Sequence, residues 1–168
     1  MSNEEVCLVT GVGPGTGSAL VRRFADVLTV SPDHLELTFQ INTMAMLRLI
    51  QTFGPDMVTS GKGAILATGN TSAYRGVANF AAFAPSKAAQ RILLESAARH
   101  LGPKGVHVAY VAIDAVIDVP WARTAFPDKP EDFFCKPADI AQECYRVAHQ
   151  NRSAWSFDVV IRPFGEKW

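Results

Sequence analysis

Short apolar runs alternate along the chain with longer stretches in which apolar residues recur every three or four positions. Residues 6–10 (Val-Cys-Leu-Val-Thr) run into glycines, which predicts a buried strand feeding a turn. Residues 18–27 predict a helix with Leu20, Val21, Phe24 and Val27 or Leu28 on one face. A second, longer helix opens at Ser31-Pro32-Asp33. Serine is a natural N-cap, proline suits the first helical position, and aspartate favours the positive end of the helix dipole. Its periodicity continues to Phe53, where Gly54-Pro55 predicts a stop. Residues 63–68 predict a second buried strand and residues 69–79 a polar loop. Pro85 marks the first turn of a third helix that ends at Gly102-Pro103. Residues 106–113 form a third strand, and residues 127–130 lie in a loop rich in proline and charge. Lys136-Pro137-Ala138-Asp139 opens a fourth helix, and residues 157–161 a last strand.

Strands alternating with helices imply βαβ units. The expected fold class is α/β: a shortened Rossmann-like parallel sheet flanked by helices in three layers, forming one domain over residues 1–168. In such sheets ligands bind beyond the carboxyl ends of the strands. The loops to read are therefore residues 11–17, 69–79 and 114–130.

Composition narrows the partners. The 168 residues are 48% hydrophobic and 19% charged, an ordinary globular balance. Sixteen basic residues match sixteen acidic ones, so nothing here points to nucleic acid or an anionic membrane. No apolar run reaches the span of a membrane helix, and the acidic start Met1-Ser2-Asn3-Glu4-Glu5 is unlike a secretory leader. Cys7, Cys135 and Cys144 have irregular spacing, which reads as reduced thiols in a cytoplasmic protein. The four histidines are scattered and make no metal signature.

The opening strand is followed by Thr10-Gly11-Val12-Gly13-Pro14-Gly15-Thr16-Gly17. Glycines permit a tight turn and let a phosphate approach the backbone, while the next helix presents unpaired N–H groups. No Gly-Lys-Ser/Thr follows, and G-x-G-x-x-G spacing fails because Thr16 stands where the third glycine should be. What fits is T-G-x-x-x-G-x-G on Thr10, Gly11, Gly15 and Gly17. Later the chain reads Asn79-Phe80-Ala81-Ala82-Phe83-Ala84-Pro85-Ser86-Lys87-Ala88-Ala89, and earlier Phe39-Gln40-Ile41-Asn42-Thr43. Together these resemble the short-chain dehydrogenase/reductase family over nearly the whole chain. The resemblance implies NAD or NADP as cofactor, held by Thr10, Gly11, Gly15, Thr16, Gly17 and Lys87. It implies a catalytic set at Asn42, Asn70, Phe83 and Lys87, a small-molecule carbonyl or alcohol substrate, and a homo-oligomer.

Three departures from the family pattern stand out. Gly11 and Asn42 lie only 42 − 11 = 31 residues apart, so at least two strand–helix repeats are absent, with the join near Ala25-Asp26-Val27-Leu28. The residue that selects between the two dinucleotides belongs to that missing stretch. Second, the family's Y-x-x-x-K motif has Phe83 at the tyrosine position, and Asn70, beside Thr71 and Ser72, stands where the family has a serine. Phenylalanine has no ionisable proton, and loss of general acid–base work typically costs about 10²–10⁴-fold. Third, Ala112-Ile113-Asp114-Ala115 replaces the family's Pro-Gly after the sixth strand.

Each candidate also has a plainer reading. Lys87 shares a helix face with Phe83 and either binds ribose hydroxyls or is a solvated lysine. Asn42 is either part of a proton relay or a satisfied buried amide. Tyr74 is either a substitute proton donor or a packing group. Asn70, Thr71 and Ser72 suit a carbonyl contact and suit a turn equally. Met44, Met46, Leu47, Ile92, Leu93 and Leu94 make two helices apolar nearly all round, to be covered by a second copy or by the sheet. Trp155, Phe157, Phe164 and Trp168 enrich the C-terminus in aromatics, as an interface would. Two functions follow: a dinucleotide-dependent oxidoreductase with weak or atypical catalysis, or a non-catalytic relative, a pseudoenzyme or a shortened isoform of a longer family member, that binds through its cofactor loop or oligomer surface.

Overall fold

The computed structural model describes residues 26–165. The expected opening strand, the glycine loop with Thr10, Gly11, Gly15, Thr16 and Gly17, most of the first expected helix, and Trp168 lie outside the described residues. Val27 and Leu28 are not on a helix face: residues 27–29 form an exposed turn. Asp26 is the reason. Its Oδ1 accepts from the N–H groups of Leu28 (2.8 Å) and Thr29 (3.1 Å), a local side-chain alternative to helical bonding.

Helix α1 spans Pro32–Phe39 and starts as its sequence requires, with Ser31 Oγ accepting from His34 N at 3.2 Å. It continues through a π-helical turn, Gln40–Met44, into α2, Ala45–Ser60. The expected stop at Gly54-Pro55 is therefore corrected: Pro55 lies inside α2. An interior proline costs roughly 3 kcal/mol. Beyond it Met57 and Val58 pack against the core, and burying two such side chains offsets that cost. The helix ends instead at Gly61, whose φ of 63° is the left-handed cap conformation.

Strand β1 is Gly63–Gly69. Helix α3, Phe83–Leu101, carries Pro85 in its first turn and leads to strand β2, Val106–Ile113. Two small strands follow, β3 (Val116–Ile117) and β4 (Phe134–Cys135), which pair in parallel around helix α4 (Pro120–Ala125). β3 and α4 fall within residues 114–130, which the sequence marks as a loop. Arg123 pins that excursion through Asp118 (2.6 Å) and Glu131 (2.8 Å). Helix α5 is Pro137–Ala148, and strand β5 is Asp158–Ile161.

The main sheet has the order β1-β2-β5, all parallel, with Gly63 opposite Val106 and Tyr110 opposite Asp158. Strand β2 is buried along its whole length because both its faces are covered. Val106, Val108, Tyr110 and Ala112 point into a core with Met46, Leu94 and Leu101, beneath α2 and α3. Alternation turns the intervening residues to the other face, where α5 packs on β1 and β2. This is the expected three-layer α/β arrangement. Strand β1 is only partly buried except at Ala67, and among the described residues no strand pairs with its outer edge.

Candidate active site

The π-turn gives the site its first member. A π-turn interrupts the regular helical ladder and is frequent at functional sites. Here the carbonyl of Asn42 accepts from Gln90 Nε2 of α3 at 2.9 Å. Two side chains of this segment also reach α3: Asn42 Nδ2 donates to Ser86 Oγ (3.0 Å) and Thr43 Oγ1 to Ser86 O (3.0 Å). Just before it, the Thr38 hydroxyl is shared between Leu35 O of its own helix (2.8 Å) and Ala82 O (3.0 Å). Ser86 is fully buried and passes its own hydroxyl proton on to Phe83 O at 2.8 Å. A run of polar residues on an otherwise apolar helix thus locks two helices together, each bond contributing about 1 kcal/mol.

Lys87 sits one turn beyond Phe83 on α3. Its Nζ donates to Gln90 Oε1 at 3.0 Å and, more weakly, to Thr68 O at 3.4 Å, near the carboxyl end of β1. It lies 5.9 Å from the centre of the Phe83 ring. Burial pushes its pKa down to about 8. The reading of Lys87 as a solvated lysine is therefore set aside. The side chain is held at the sheet edge where ligands of this architecture bind.

The loop after β1 is more committed to its own folding. Asn70 Oδ1 accepts from Ser72 N at 3.1 Å and caps the short helical turn Thr71–Ala73. Thr71 Oγ1 donates to Asp114 Oδ1 at 2.9 Å, tying this loop to the one after β2. Ser72 is buried. Asp114 also lies 4.0 Å from Arg162, so the residues after β2 carry a carboxylate with two polar neighbours.

Tyr74 turns away from proton chemistry. Its hydroxyl donates to Asp158 Oδ1 at 2.9 Å, and the same carboxylate forms an ion pair with Arg91, whose guanidinium lies 5.0 Å over the Tyr74 ring. Burial, then the Asp158 hydrogen bond, push its pKa up to about 12. Such a phenol holds its proton, and its role is to fasten the loop to α3 and β5. Tyr110 is structural, as its mid-strand place implies: it is fully buried and meets Tyr74 edge-on at 6.3 Å. It also explains the glycine that ends β1, since a Cβ on Gly69 would stand 1.8 Å from the Tyr110 hydroxyl.

The structure thus brings the π-turn residue Asn42 against the turn of α3 that carries Phe83 and Lys87, through Ser86 and Gln90, and puts Asn70 at the cap of the neighbouring loop. Sequence reasoning missed Ser86 and Gln90. Their signal was there: a serine and a glutamine on the face of α3 that also carries leucines. Among the described residues no helix is long and apolar enough to cross a membrane, and no three His, Cys, Asp or Glu side chains gather as metal ligands.

A parallel sheet with helices on both faces and polar side chains gathered near its carboxyl edge defines a Rossmann-like α/β protein. The family model described as enoyl-(acyl carrier protein) reductase matches residues 15–132. Human 17-beta-hydroxysteroid dehydrogenase type 1 is 32% identical over 97 residues, 58% of this chain and 28% of its own length. The short-chain dehydrogenase/reductase eriH of Hericium erinaceus is 28% identical over 97 residues, 57% of this chain and 38% of its own. A short-chain dehydrogenase from Rhodopseudomonas palustris superposes with a TM-score of 0.67 at 29% identity, covering 83% of this chain and 56% of that one. The fold is also that of an NADPH-bound short-chain oxidoreductase from Pseudomonas aeruginosa PAO1, described as having an atypical catalytic center. That match has a TM-score of 0.74 at 16% identity over 87% of this chain and 62% of the other. The chain belongs to the short-chain dehydrogenase/reductase family. It spans well under half the length of the two curated relatives it matches.

Proposed function

We propose that this chain is a nicotinamide-dinucleotide-binding oxidoreductase, using NAD or NADP and acting weakly or atypically on a small carbonyl or alcohol substrate. The observation that carries the reading is Lys87. It is a buried ammonium with two weak neutral acceptors, Gln90 Oε1 and Thr68 O, and no carboxylate partner among the described residues. An ammonium has three N–H donors, so one remains for a hydroxyl of a ligand. That fits a ribose. Thr10, Gly11, Gly15, Thr16 and Gly17 are proposed to hold the diphosphate. A bound nicotinamide would supply the hydride. On the protein's side, Asn42 and Ser86 fix the helix that carries Lys87, and Lys87 orients the ligand. Phe83 cannot give or take a proton, and this is why catalysis is expected to be weak.

The test is titration of the full chain with NADH and NADPH, followed by fluorescence. Saturable binding of at least one, lost in Lys87→Met, is expected; no saturable signal for either would end the proposal. Phe83→Tyr should then raise carbonyl reduction by roughly 10²–10⁴-fold.

A second reading is supported by Phe83 together with Asn70, whose side-chain oxygen is engaged in a cap. In it the chain is a non-catalytic relative that works by binding the dinucleotide or a second copy of itself, in the cytoplasm. A wild-type turnover equal to that of Phe83→Tyr would exclude it.

A further inference from the structure

We infer that Gln90 is a positioning residue: its carboxamide bridges the Lys87 ammonium to the backbone carbonyl of Asn42 and so fixes the direction of the one N–H that Lys87 keeps for a ligand. The inference rests on the reading of Lys87 as a ligand-binding group. Gln90 is buried, with 6% of its surface exposed. Its two polar atoms have unambiguous partners. Lys87 Nζ has no lone pair and can only donate, so the atom 3.0 Å away is the carbonyl oxygen Oε1. The atom 2.9 Å from Asn42 O is then the amide nitrogen Nε2, donating. Both ends are satisfied at once only while Asn42 O and Lys87 Nζ stand on either side of the carboxamide. One side chain of α3 therefore ties the segment before α2 to Lys87.

The same geometry limits what the bridge can do. A carboxamide neither gives up nor takes a proton near neutral pH. A path from Lys87 through Gln90 to Asn42 thus fixes a charge and passes no proton. Of the three ammonium donors, one is held by Gln90 and one by Thr68 O. The third is aimed at a ligand by subtraction, and the ligand group it fits is an oxygen acceptor such as a ribose hydroxyl.

The test follows the lysine itself and needs no cofactor. The full chain, with 13C at lysine Cε, is titrated by NMR, and the Lys87 signal is assigned by its loss in Lys87→Met. Gln90→Leu removes the acceptor of the charged form and should lower the Lys87 midpoint by about one unit; Gln90→Glu should raise it by at least as much. In the wild type the Gln90 side-chain amide signals should move with the Lys87 midpoint, a readout that survives if either variant fails to fold. Gln90→Leu should also weaken NADH or NADPH binding by about tenfold, the value of one fixed hydrogen bond. A Lys87 midpoint unmoved in both folded variants, or a wild-type Gln90 amide indifferent to that titration, would overturn the inference. Failure of wild type to bind either dinucleotide, with the titration as described, would instead overturn the proposed function and leave the bridge standing.

Discussion

Phe83 and Lys87 stand one helical turn apart on α3 and differ in what each can offer a ligand. The ring keeps the packing of the site, with Phe80 edge-on at 6.0 Å, but has no proton to offer. The amine keeps its charge in a place that disfavours charge. Its pKa is lowered from 10.5 to about 8 by burial, so between those values the unfolded chain binds a proton that the folded chain does not. Stability therefore rises with pH across that window, by up to about 3 kcal/mol from this group. Tyr74, raised from 10.0 to about 12, acts oppositely: above pH 10 the unfolded chain loses a proton that the folded chain keeps, and stability falls. His107, lowered by burial from 6.5, takes a proton only on unfolding as the medium turns acid, which removes stability below that value. Urea melts from pH 5 to 11 should thus show a maximum near pH 10, where the rise from Lys87 meets the fall from Tyr74. Lys87→Met should flatten the rise from about pH 8 to 10; an unchanged slope would contradict the buried ammonium.

Helix α2 shows how an element answers to its surroundings. Its central Gly54-Pro55 is a local instruction to stop, and the core contacts of Met57 and Val58 override it. Two glycines in and after this helix should respond differently to alanine. At Gly54, its chain neighbours aside, a Cβ meets only Ile50 Cγ2, at an ordinary 4.0 Å. The helix propensity gained by Gly54→Ala is offset by crowding of the new Cβ against the Pro55 ring, and the net change should stay within about 1 kcal/mol. Gly61 has open space around it but a φ of 63°, and Gly61→Ala should destabilise by about 1–2 kcal/mol. Equilibrium denaturation of both variants checks the pair, and a neutral Gly61→Ala would show that the helix ends elsewhere. The π-turn before α2 is the element with the least local cause. Asn42 and Thr43 are poor helix residues individually, and the partners of their side chains lie on α3.

At the scale of the whole molecule the question is what covers the outer faces. The apolar excess of α2 and α3 divides: Met46 and Leu94 are buried in the intramolecular core, while Ile92 is 56% exposed and Phe53 40%. The C-terminal aromatics divide likewise. Trp155 stacks on His107 at 4.8 Å and Phe157 packs on the core, while Phe164 stands out in solvent. The remaining outward apolar residues support the proposed homo-oligomer. Light scattering after size exclusion should give a mass above one chain, and Ile92→Lys should reduce it, since an unpaired charge in an apolar contact costs several kcal/mol in order of magnitude. A monomer in wild type would remove the proposal.

The sequence by itself determined the class of fold and the order of its main elements. Apolar runs such as residues 106–113, the Ser31-Pro32 cap and the Pro137 start are local signals, and local physics suffices to read them. It also determined Phe83 and Lys87 as a pair, because a spacing of four on a helix is a statement about one face. Tertiary structure decided the rest. Gln90, Ser86 and the Asn42 carbonyl meet across 44 to 48 positions of chain, a distance no periodicity spans. Tyr74 was assigned to anchoring by partners on α3 and β5 that exist only once those elements are in place, whereas the cap at Asn70 is a local contact two residues long. A residue type specifies what a side chain can do, and the fold specifies which of its atoms are already engaged.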